Sequence, residues 1–349
     1  MNASLIALSG LSAVGLAVVG LHADAADRVT VPTTMRAAAI DHGGGPNELS
    51  IHTLPVPEVA ANEVLIAMDT AGVASWDASI REQPDVDGVH RHLPLVLGTD
   101  GAGLVAAVGS GVQGFKLGDK VYAYSYDNPK GGFYAEYVAV TAARVGHVPA
   151  SLSLKEAGAI GTTGLTAIQG IDDALHLKSG DTVIIHGAAG GVGTLAVQFA
   201  KLRGARVLAT VAGEDGADLA RRLGADAVVD GRSGDIAAAA RDFSPHGVDA
   251  VLALAGGDTL ERCIDALRTG GVVAYPTGVE PAPKPRDGIR IIRYDAVPGA
   301  REFERLNTTI IAAKLQVPIA AEYSLADASK AHERLAAGHV LGKVVLNIH

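Results

Sequence analysis

One segment, residues 181–201, limits what this chain can fold into more than any other. Its sequence is DTVIIHGAAGGVGTLAVQFAK. A β-branched apolar run at 182–185 leads into a glycine-rich turn at 187–193, which opens directly into an apolar helical pattern. This order predicts a strand, a tight turn and a helix whose N-terminus can hold a pyrophosphate. Gly204 stands where a helix C-cap is expected, and a second β-rich run at 206–211 completes a βαβ unit.

The glycines of this turn have separate predicted roles. Gly190 permits the tight turn, Gly191 leaves no side chain between backbone N–H groups and phosphate oxygens, and Gly193 lets the helix approach the strand closely. Ala188 replaces the first glycine of the usual fingerprint. The pattern alone also fits a tight turn without a ligand, but the flanking βαβ unit favours a dinucleotide and hydride-transfer chemistry.

The end of the second strand decides between the two nicotinamide dinucleotides. It has no acidic residue at 210–213, which favours NADP(H) over NAD because an acid there would repel a 2′-phosphate. Arg232 or Arg221 is the candidate phosphate ligand, whereas Glu214 and Asp215 would oppose binding. The predicted cofactor-binding residues are Ala189, Gly190, Gly191, Val192, Gly193, Thr210, Arg232, Gly256 and Lys343.

Composition sets the broad class of the protein. The 349 residues are 48% hydrophobic and 19% charged, which is typical of a compact globular protein with room for two domains. The formal net charge is −9 and no Lys/Arg run occurs, so a nucleic-acid partner is not expected. The single cysteine, Cys263, allows neither an internal disulfide nor a cysteine-rich zinc site, and its amphipathic segment predicts a buried apolar role.

Hydrophobic periodicity divides the chain into two modules of an α/β protein. The first is β-rich, with strands predicted at 36–40, 64–71, 103–108 and 120–124. From residue 153 strands and helices alternate, which predicts a doubly wound parallel sheet. The predicted strands there are 182–187, 206–211, 227–229, 248–254 and 272–276, and the predicted helices are 191–203, 216–223, 235–242 and 258–268.

The last part of the chain is expected to return to the first module. It contains a predicted strand at 289–294, helices at 300–314 and 327–336, and a strand at 344–348. The strand at 289–294 is a candidate sheet edge for pairing in a homodimer.

The N-terminus allows two localisations. Residues 5–21 are apolar and uncharged, and residues 23–25 (ADA) resemble a signal-peptide cleavage site. The first 21 residues contain no Lys or Arg, so the positive region of a signal peptide is missing, and Met35 is an alternative start. We favour a cytoplasmic protein and keep export, with membrane contact through an uncleaved segment, as the alternative.

Several short motifs occur in a fixed order along the chain. They are Gly180-Asp181, AAGGVG at 188–193, Gln198 and Lys201, together with GDKV at 118–121, GFYAEYV at 132–138, LTA at 165–167, LGAD at 223–226 and GKVV at 342–345. In this order and spacing the chain resembles the zinc-independent quinone oxidoreductases, the zeta-crystallin-like group of the medium-chain dehydrogenase/reductase superfamily, over residues 35–349. Ile184 departs from the usual Leu.

The resemblance implies four segments. These are an N-terminal extension or signal-like segment (1–34), a GroES-like catalytic domain (35–155), a Rossmann domain (156–295) and a C-terminal return to the catalytic domain (296–349). It also implies a cleft between the two domains that holds the nicotinamide, and a small-molecule substrate.

The resemblance further implies that no zinc is bound. Where the metal-dependent members of the superfamily carry Cys and His-Glu ligands, this chain has Ala74, Thr99-Asp100 and a third position near Gly161-Thr162. Zinc needs a cluster of nitrogen, sulfur or carboxylate donors, and only Asp100 qualifies. The string at 90–92 (HRH) is expected to be a solvated loop. Without a metal, the acceptor should be easily reduced, such as a quinone or an activated alkene or carbonyl.

Three residues are candidates for catalysis, each with a simpler alternative. Thr166 aligns with a residue that the family places beside the nicotinamide, but its hydroxyl could instead bond the helix backbone. Asp77 lies in the family's substrate-side segment, but it could instead form an ion pair with Arg81. Ala74 replaces the family's Asn there, which leaves substrate orientation open.

The third candidate, Tyr124, belongs to a row of tyrosines with Tyr122 and Tyr126. One of these hydroxyls could protonate a developing enolate, although packing with satisfied hydroxyls is the simpler expectation. Trp76 is expected either to line the pocket or to fill the core. Two other functions stay open: an enoyl-thioester or aldehyde reductase on the same scaffold, and a redox-silent dinucleotide-binding protein.

Overall fold

The computed structural model describes residues 31–85 and 88–349, and Pro32–His349 form one unit. The N-terminal signal-like segment lies outside the described residues. The β-rich first module contains strands β1 (Thr34–Ile40), β2 (Ser50–Pro55), β3 (Glu63–Val73), β4 (Leu95–Val96), β5 (Asp100–Val108), β6 (Lys120–Tyr124), β7 (Tyr137–Thr141) and β8 (Val145–His147), and helix α1 (Ser75–Glu82). The long β3 pairs antiparallel with both β5 and β7, so alternate side chains of β3 enter the module's core.

The second module begins with helices. Ser153 caps α2 (Leu154–Gly158), its hydroxyl accepting the Glu156 backbone N–H, and α3 (Gly161–Gln169) follows. Strands and helices then alternate: β9 (Thr182–His186), α4 (Gly191–Leu202), β10 (Arg206–Val211), α5 (Gly213–Arg222), β11 (Ala227–Asp230), α6 (Ile236–Phe243), β12 (Val248–Ala253), α7 (Asp258–Ile264), β13 (Leu267–Pro276) and β14 (Arg290–Tyr294).

The strand order of this module confirms the predicted doubly wound fold. The six strands run β11-β10-β9-β12-β13-β14, and every neighbouring pair is parallel. The order reverses beside β9, so the glycine-rich turn after β9 opens into the crevice where such sheets bind ligands. The last strand, β14, lies at the sheet edge, as expected for the segment at 289–294.

The C-terminal part comprises α8 (Ala300–Ala313), β15 (Ile319–Ser324), α9 (Ala328–Ala336) and β16 (Lys343–Asn347). Strand β16 pairs antiparallel with β3 of the first module, and β15 pairs parallel with β16. The seven-stranded sheet therefore contains strands from both ends of the described chain.

Some element boundaries differ from the predictions. The predicted helix at 258–268 is wrong beyond Ile264, because Leu267 begins β13 and lies opposite Val248 of β12. Apolar residues continue the helical spacing through this junction, so only the cross-strand pairing reveals the change. Strands β2, β7 and β15 were missed, because their alternation of apolar and polar residues is weak. Gly204, with φ of +78°, follows the end of α4 as predicted.

One sequence expectation outside the site is also resolved. Cys263 is fully buried, and burial raises the pKa of its thiol to about 11, which confirms the apolar structural role. Among the residues that the structure describes, no helix is long and apolar enough to cross a membrane.

Candidate functional site

The glycine-rich turn joins β9 to α4 through backbone hydrogen bonds. The N–H groups of Gly187 and Ala188 both donate to the Thr210 carbonyl at 3.1 Å, which ties the turn to the end of β10. Gly190 precedes the helix, and no side chain among the described residues caps it. The N–H groups of residues 191–193 lack intrahelical acceptors and point out of the helix N-terminus, where they can bind an anion.

Steric contacts explain why the residue at position 193 is a glycine. A Cβ on Gly193 would lie 2.2 Å from the Gly187 carbonyl oxygen and 2.7 Å from Ala188 Cα. A Cβ on Gly190 would lie 3.5 Å from the Gly187 carbonyl oxygen, its nearest neighbour outside the adjoining residues. Gly193 is therefore required by the close contact of helix and turn, whereas a Cβ at Gly190 would make only an ordinary van der Waals contact.

The C-terminal part of the chain contacts this turn. Gly342 donates its N–H to the Ala189 carbonyl at 2.9 Å. The next residue, Lys343, is only 4% exposed; its Nζ donates to the Val73 carbonyl at 3.2 Å, and its stem lies against Gly191. Lys343 thus places a buried cation between the glycine-rich turn and β3, beside the predicted pyrophosphate site.

The end of β10 contacts an acidic residue from the next strand. Asp230, the last residue of β11, accepts the backbone N–H groups of Gly213, Arg232 and Ser233 at 2.7–3.1 Å. These donors hold the pKa of its carboxyl below the ordinary value. The Asp230 carboxylate therefore stabilises the loop that follows β11 through these hydrogen bonds.

Several charged residues near this end form ion pairs. Arg221 donates to Glu214 at 2.8 Å, and His339 Nε2 lies 2.8 Å from Asp215 Oδ2. The exposed Arg232 has no ion-pair partner among the described residues. Of the two arginines proposed for a 2′-phosphate, Arg232 is the one whose guanidinium is available.

Two further residues that were predicted to bind the cofactor contribute through their main chain. Thr210 is 1% exposed and its hydroxyl lies 3.6 Å from Cys263 Sγ, so its carbonyl is the group that faces the turn. Gly256 lies after β12, where a Cβ would meet the backbone of Glu280 and Pro281 at 2.5 Å. Both residues therefore shape the site through the main chain.

The first catalytic candidate, Asp77, is fully buried in the first module. Its Oδ2 accepts the Ala74 backbone N–H at 2.8 Å and the Tyr134 hydroxyl at 2.9 Å. Its Oδ1 has no partner among the described residues. Burial raises the pKa of Asp77 to about 7, and nearby Asp100 adds to the shift, whereas the two hydrogen bonds and Lys343 oppose it. The structure therefore buries Asp77 inside the first module, out of contact with solvent.

The alternative of an Asp77–Arg81 ion pair is wrong. Arg81 donates instead to the Gly44 carbonyl, to Glu82 and, at 2.8 Å, to His332 Nδ1. Asp77 lies in the first turn of α1 and reaches back to Ala74, whereas Arg81 lies one turn later and faces α9. Burial, with a contribution from Arg81, lowers the pKa of His332 to about 4, so the ring is neutral near pH 7.

Residues at the zinc-ligand positions come together, but they do not fit a zinc ion. Asp100 Oδ2 accepts the Thr162 backbone N–H at 2.7 Å, and Thr99 Oγ1 accepts the indole N–H of Trp76 at 2.9 Å. Zinc sites use at least three nitrogen, sulfur or carboxylate ligands. No group of three His, Cys, Asp or Glu side chains within residues 31–85 and 88–349 is arranged to hold a metal.

The other two catalytic candidates lie on α3 and β6. Thr166 donates its hydroxyl proton to the Thr162 carbonyl at 2.9 Å, so its oxygen is left as an acceptor. Tyr124 is 8% exposed, and its hydroxyl has no hydrogen-bond partner in the described chain. Burial raises the pKa of Tyr124 above its ordinary value, and Asp100 adds to the effect. By contrast, Tyr122 donates to Asn307 Oδ1 at 2.7 Å.

Tyr134 and His332 were not identified from the sequence as site residues. Tyr134 is 57 positions from Asp77, and His332 is 251 positions from Arg81. The GFYAEYV motif drew attention to the segment of Tyr134 but not to its hydroxyl. No local pattern marks His332, which looks like an ordinary residue of an amphipathic helix.

Comparisons with known proteins define the class of this fold and site. A family model described as an alcohol dehydrogenase GroES-like domain matches residues 60–150, and one described as a zinc-binding dehydrogenase matches residues 223–346. Together they define an oxidoreductase of the medium-chain dehydrogenase/reductase type, although the donor set described above does not fit the metal in the second description.

Individual relatives narrow this class. A probable quinone oxidoreductase from Schizosaccharomyces pombe is 32% identical over 86% of this chain and 94% of its own length. A solved structure of an NAD-dependent alcohol dehydrogenase is 33% identical, with a TM-score of 0.83 over 90% of this chain and 100% of its own. The Escherichia coli quinone oxidoreductase complexed with NADPH is 26% identical, with a TM-score of 0.79 over 91% and 100%. The chain belongs to the quinone oxidoreductase family of the medium-chain dehydrogenases/reductases.

Proposed function

We propose that this protein is a zinc-independent, NADP(H)-dependent reductase that transfers a hydride to a quinone or to an activated alkene or carbonyl. The observation that carries the proposal is the uncapped N-terminus of α4, whose first three backbone N–H groups have no acceptor within the helix, with the stem of the buried Lys343 packed against Gly191. This is the arrangement that binds a pyrophosphate without side-chain ligands. NADPH, when bound, supplies the hydride.

The choice of NADP(H) has support from both structure and relatives. Arg232 is exposed beside the end of β10, where a 2′-phosphate would lie, and Asp230 is already compensated by three N–H donors. The E. coli relative is complexed with NADPH. The similar alcohol dehydrogenase that uses NAD makes the opposite preference worth measuring, so both coenzymes belong in the same assay.

The acceptor side favours a substrate that needs little activation. Without a metal, a developing oxyanion must be stabilised by hydrogen-bond donors, and the Tyr124 hydroxyl is available for this. Since its pKa is raised, Tyr124 stays protonated at any ordinary pH and can donate a hydrogen bond. Thr166 can accept a hydrogen bond beside the nicotinamide, and Asp77 positions Tyr134 and the start of α1 from beneath.

The oligomeric proposal concerns β14. Its outer edge is unpaired within the described chain and therefore offers N–H and C=O groups to a second copy. We propose a homodimer that pairs two β14 strands across a two-fold axis. Sedimentation at micromolar concentration, with a Pro substitution at Ile291 as the perturbation, tests this independently of activity.

The decisive experiment combines binding and turnover. Purified protein is titrated with NADPH and NADH by calorimetry, and oxidation of both is followed with quinones, enones, enoyl thioesters and aldehydes; metal content is measured in parallel. We expect NADPH binding and fastest turnover with quinones or enones. Tight binding without any turnover would establish the redox-silent alternative, fastest turnover with enoyl thioesters would establish the other reductase, and stoichiometric zinc required for activity would refute the metal-free mechanism.

A further inference from the structure

Helix α8 runs along β6 in the opposite direction, which places the residues before α8 near Tyr124. The Tyr122 ring packs edge-on against Phe303, with the ring centroids 5.0 Å apart. One turn later, Asn307 donates its side-chain amide to the His147 carbonyl at 2.9 Å, and His147 lies opposite the residue before Tyr122. Moving forward along α8 therefore means moving back along β6. The chain that precedes α8 lies towards Tyr124, whose side chain is on the same face of β6 as that of Tyr122.

Side chains of α3 and of β14 fix the main chain that precedes α8. Gln169 binds Val297 twice, because its amide N–H donates to the Val297 carbonyl and its side-chain oxygen accepts the Val297 N–H, both at 2.9 Å. The Tyr294 hydroxyl donates to the Thr166 carbonyl at 3.0 Å. Gly170 makes room for this contact, since a Cβ there would lie 2.3 Å from the Tyr294 hydroxyl oxygen. The chain between β14 and α8 is therefore held beside Thr166, the residue expected at the nicotinamide.

Two side chains of this connection stay exposed although its main chain is fixed. Val297 is 60% exposed, even though both of its main-chain polar groups are bonded to Gln169. Asp295 is also exposed, and its carboxylate has no hydrogen bond or ion pair within the described part of the chain. Its charge is close to Tyr124: burial is the largest cause of the raised pKa of Tyr124, and Asp295 adds to it. The second module thus presents an apolar side chain and an unpaired carboxylate on the side of Tyr124 and Thr166.

We propose that Asp295 and Val297 form the second module's wall of the acceptor site and determine which acceptors it takes. Val297 contacts the reducible ring, and Asp295 disfavours acceptors that carry a negative charge on or beside that ring. The acceptor is therefore an uncharged quinone or enone. This inference rests on the proposed function and deepens it by naming the charge class of the substrate.

The physical basis for the charge preference is Coulomb repulsion in a partly exposed site. Two like unit charges about 8 Å apart weaken binding about sixfold when the effective dielectric constant is about 40. Dissolved ions screen exposed charges, so the repulsion should become smaller at high salt concentration. The contact of Val297 with the ring is apolar and does not depend on charge. Removal of its two methyl groups should therefore weaken the binding of every acceptor about threefold.

Two acceptors of similar size and different charge test the proposal. One is 2-methyl-1,4-naphthoquinone, which is uncharged, and the other is 1,4-naphthoquinone-2-sulfonate, which carries one negative charge. Calorimetry measures the Kd of each with NADP+ in place of NADPH, so that no hydride is transferred, and kcat/KM is then measured with NADPH. The ratio of the two Kd values is compared between variants, because differences between the two compounds themselves cancel in that comparison.

The test variant is Asp295→Asn, which removes the charge and keeps the shape of the side chain. The matched control is Asp242→Asn, because Asp242 is exposed near the end of α6, towards the edge of the parallel sheet opposite the glycine-rich turn. We expect Asp295→Asn to bind the sulfonate about sixfold more tightly than the wild type and the methyl compound equally well. This difference should shrink in about 0.5 M NaCl. Val297→Ala should weaken both acceptors about threefold.

The outcomes separate this inference from the proposed function. An unchanged Kd ratio in Asp295→Asn, or an equal change in Asp242→Asn, would overturn the role of Asp295 while leaving quinone reduction intact. Unchanged binding of both acceptors by Val297→Ala would remove Val297 from the wall. A ratio that changes only in Asp295→Asn supports the proposal, even if neither acceptor oxidises NADPH, which would reject only the reductase activity.

Discussion

The proposed cofactor side and the proposed acceptor side of this protein are built in different ways. On the cofactor side, one continuous segment from β9 to β10 presents backbone N–H groups, and glycines keep side chains out. On the acceptor side, buried side chains from distant segments meet, such as Arg81 and His332, which are 251 positions apart. The cofactor side therefore depends on glycines, which leave room around the backbone N–H groups. The acceptor side depends on hydrogen bonds and charges among side chains that are buried away from water.

The largest expected effect concerns the buried acid of the acceptor side. The pKa of Asp77 rises from an ordinary 3.8 to about 7 on folding, so between these values the folded protein holds a proton that the unfolded chain has released. This contribution favours the folded state at low pH and is lost as the pH rises towards 7. The stability of the wild type relative to Asp77→Asn should therefore fall by up to about 4 kcal/mol between pH 4 and pH 7.5.

Urea denaturation of both proteins at several pH values measures this difference. His332 has the opposite sign, because its pKa falls from 6.5 to about 4 and its destabilising effect disappears as the pH rises to 6.5. Because the two effects oppose each other, they partly cancel in the dependence of wild-type stability on pH. The comparison with Asp77→Asn isolates the contribution of Asp77. Ile311→Ala, at an exposed site without a titrating group, should shift stability equally at every pH. A constant difference for Asp77→Asn as well would contradict the raised pKa.

The second prediction tests the steric requirement of the cofactor side. Gly193→Ala places a Cβ 2.2 Å from the Gly187 carbonyl oxygen, and backbone on both sides must move. We expect the free energy of unfolding to fall by about 3 kcal/mol, with NADPH affinity falling as well because the turn is displaced. Thermal denaturation and calorimetric titration measure the two effects.

Gly190→Ala is the matched control, since its added Cβ would lie 3.5 Å from the Gly187 carbonyl oxygen, an ordinary van der Waals distance. Its stability should be near that of the wild type. If the two alanine variants were equally stable, the close contact between helix and turn would not explain the glycine at position 193.

The third prediction returns to the acceptor side, at Tyr124. Replacing it with Phe removes the hydroxyl proposed to donate to the developing oxyanion. We expect kcat with a quinone or enone to fall about 100-fold, while the Kd for NADPH is unchanged. Tyr122→Phe is the control, because its hydroxyl is already bonded to Asn307 and should affect stability more than rate. Equal rates for Tyr124→Phe and the wild type would remove Tyr124 from the chemistry.

The smallest effect is expected at the edge of the cofactor side. Arg232→Ala should raise the KM for NADPH about tenfold, the equivalent of about 1.4 kcal/mol, and leave the KM for NADH unchanged. Arg222→Ala removes an equal charge from the exposed face of α5 and should change neither value. Equal losses for both coenzymes on Arg232→Ala would place the 2′-phosphate elsewhere.

The sequence predicted the cofactor side better than the acceptor side. The turn, Gly193 and the alternation of strands and helices from 182 to 254 were visible because each depends on neighbouring residues. The edge position of β14 was also inferred correctly. The helix predicted through residue 268 failed because the pairing of Leu267 with Val248 outweighs local periodicity.

The acceptor side was only partly visible. Asp77, Thr166 and Tyr124 could be nominated from their motifs, but their surroundings could not. Whether Asp77 would bind Arg81 or Tyr134 depends on where α9 and the β6–β7 connection lie, and short spacing within α1 gave the wrong partner. Arg232 is available and Arg221 is not, because Arg221 forms an ion pair with Glu214.

By itself, the amino-acid sequence determined the glycine-rich strand–turn–helix unit, the doubly wound sheet and the class of cofactor. These follow from short-range sterics and periodicity, which act between residues close together in the chain. Only the tertiary structure decided which buried charges are partners and where Lys343 meets the turn. Those features depend on burial and on distances between segments far apart in sequence, and desolvation gives a buried group its properties only after the chain has folded.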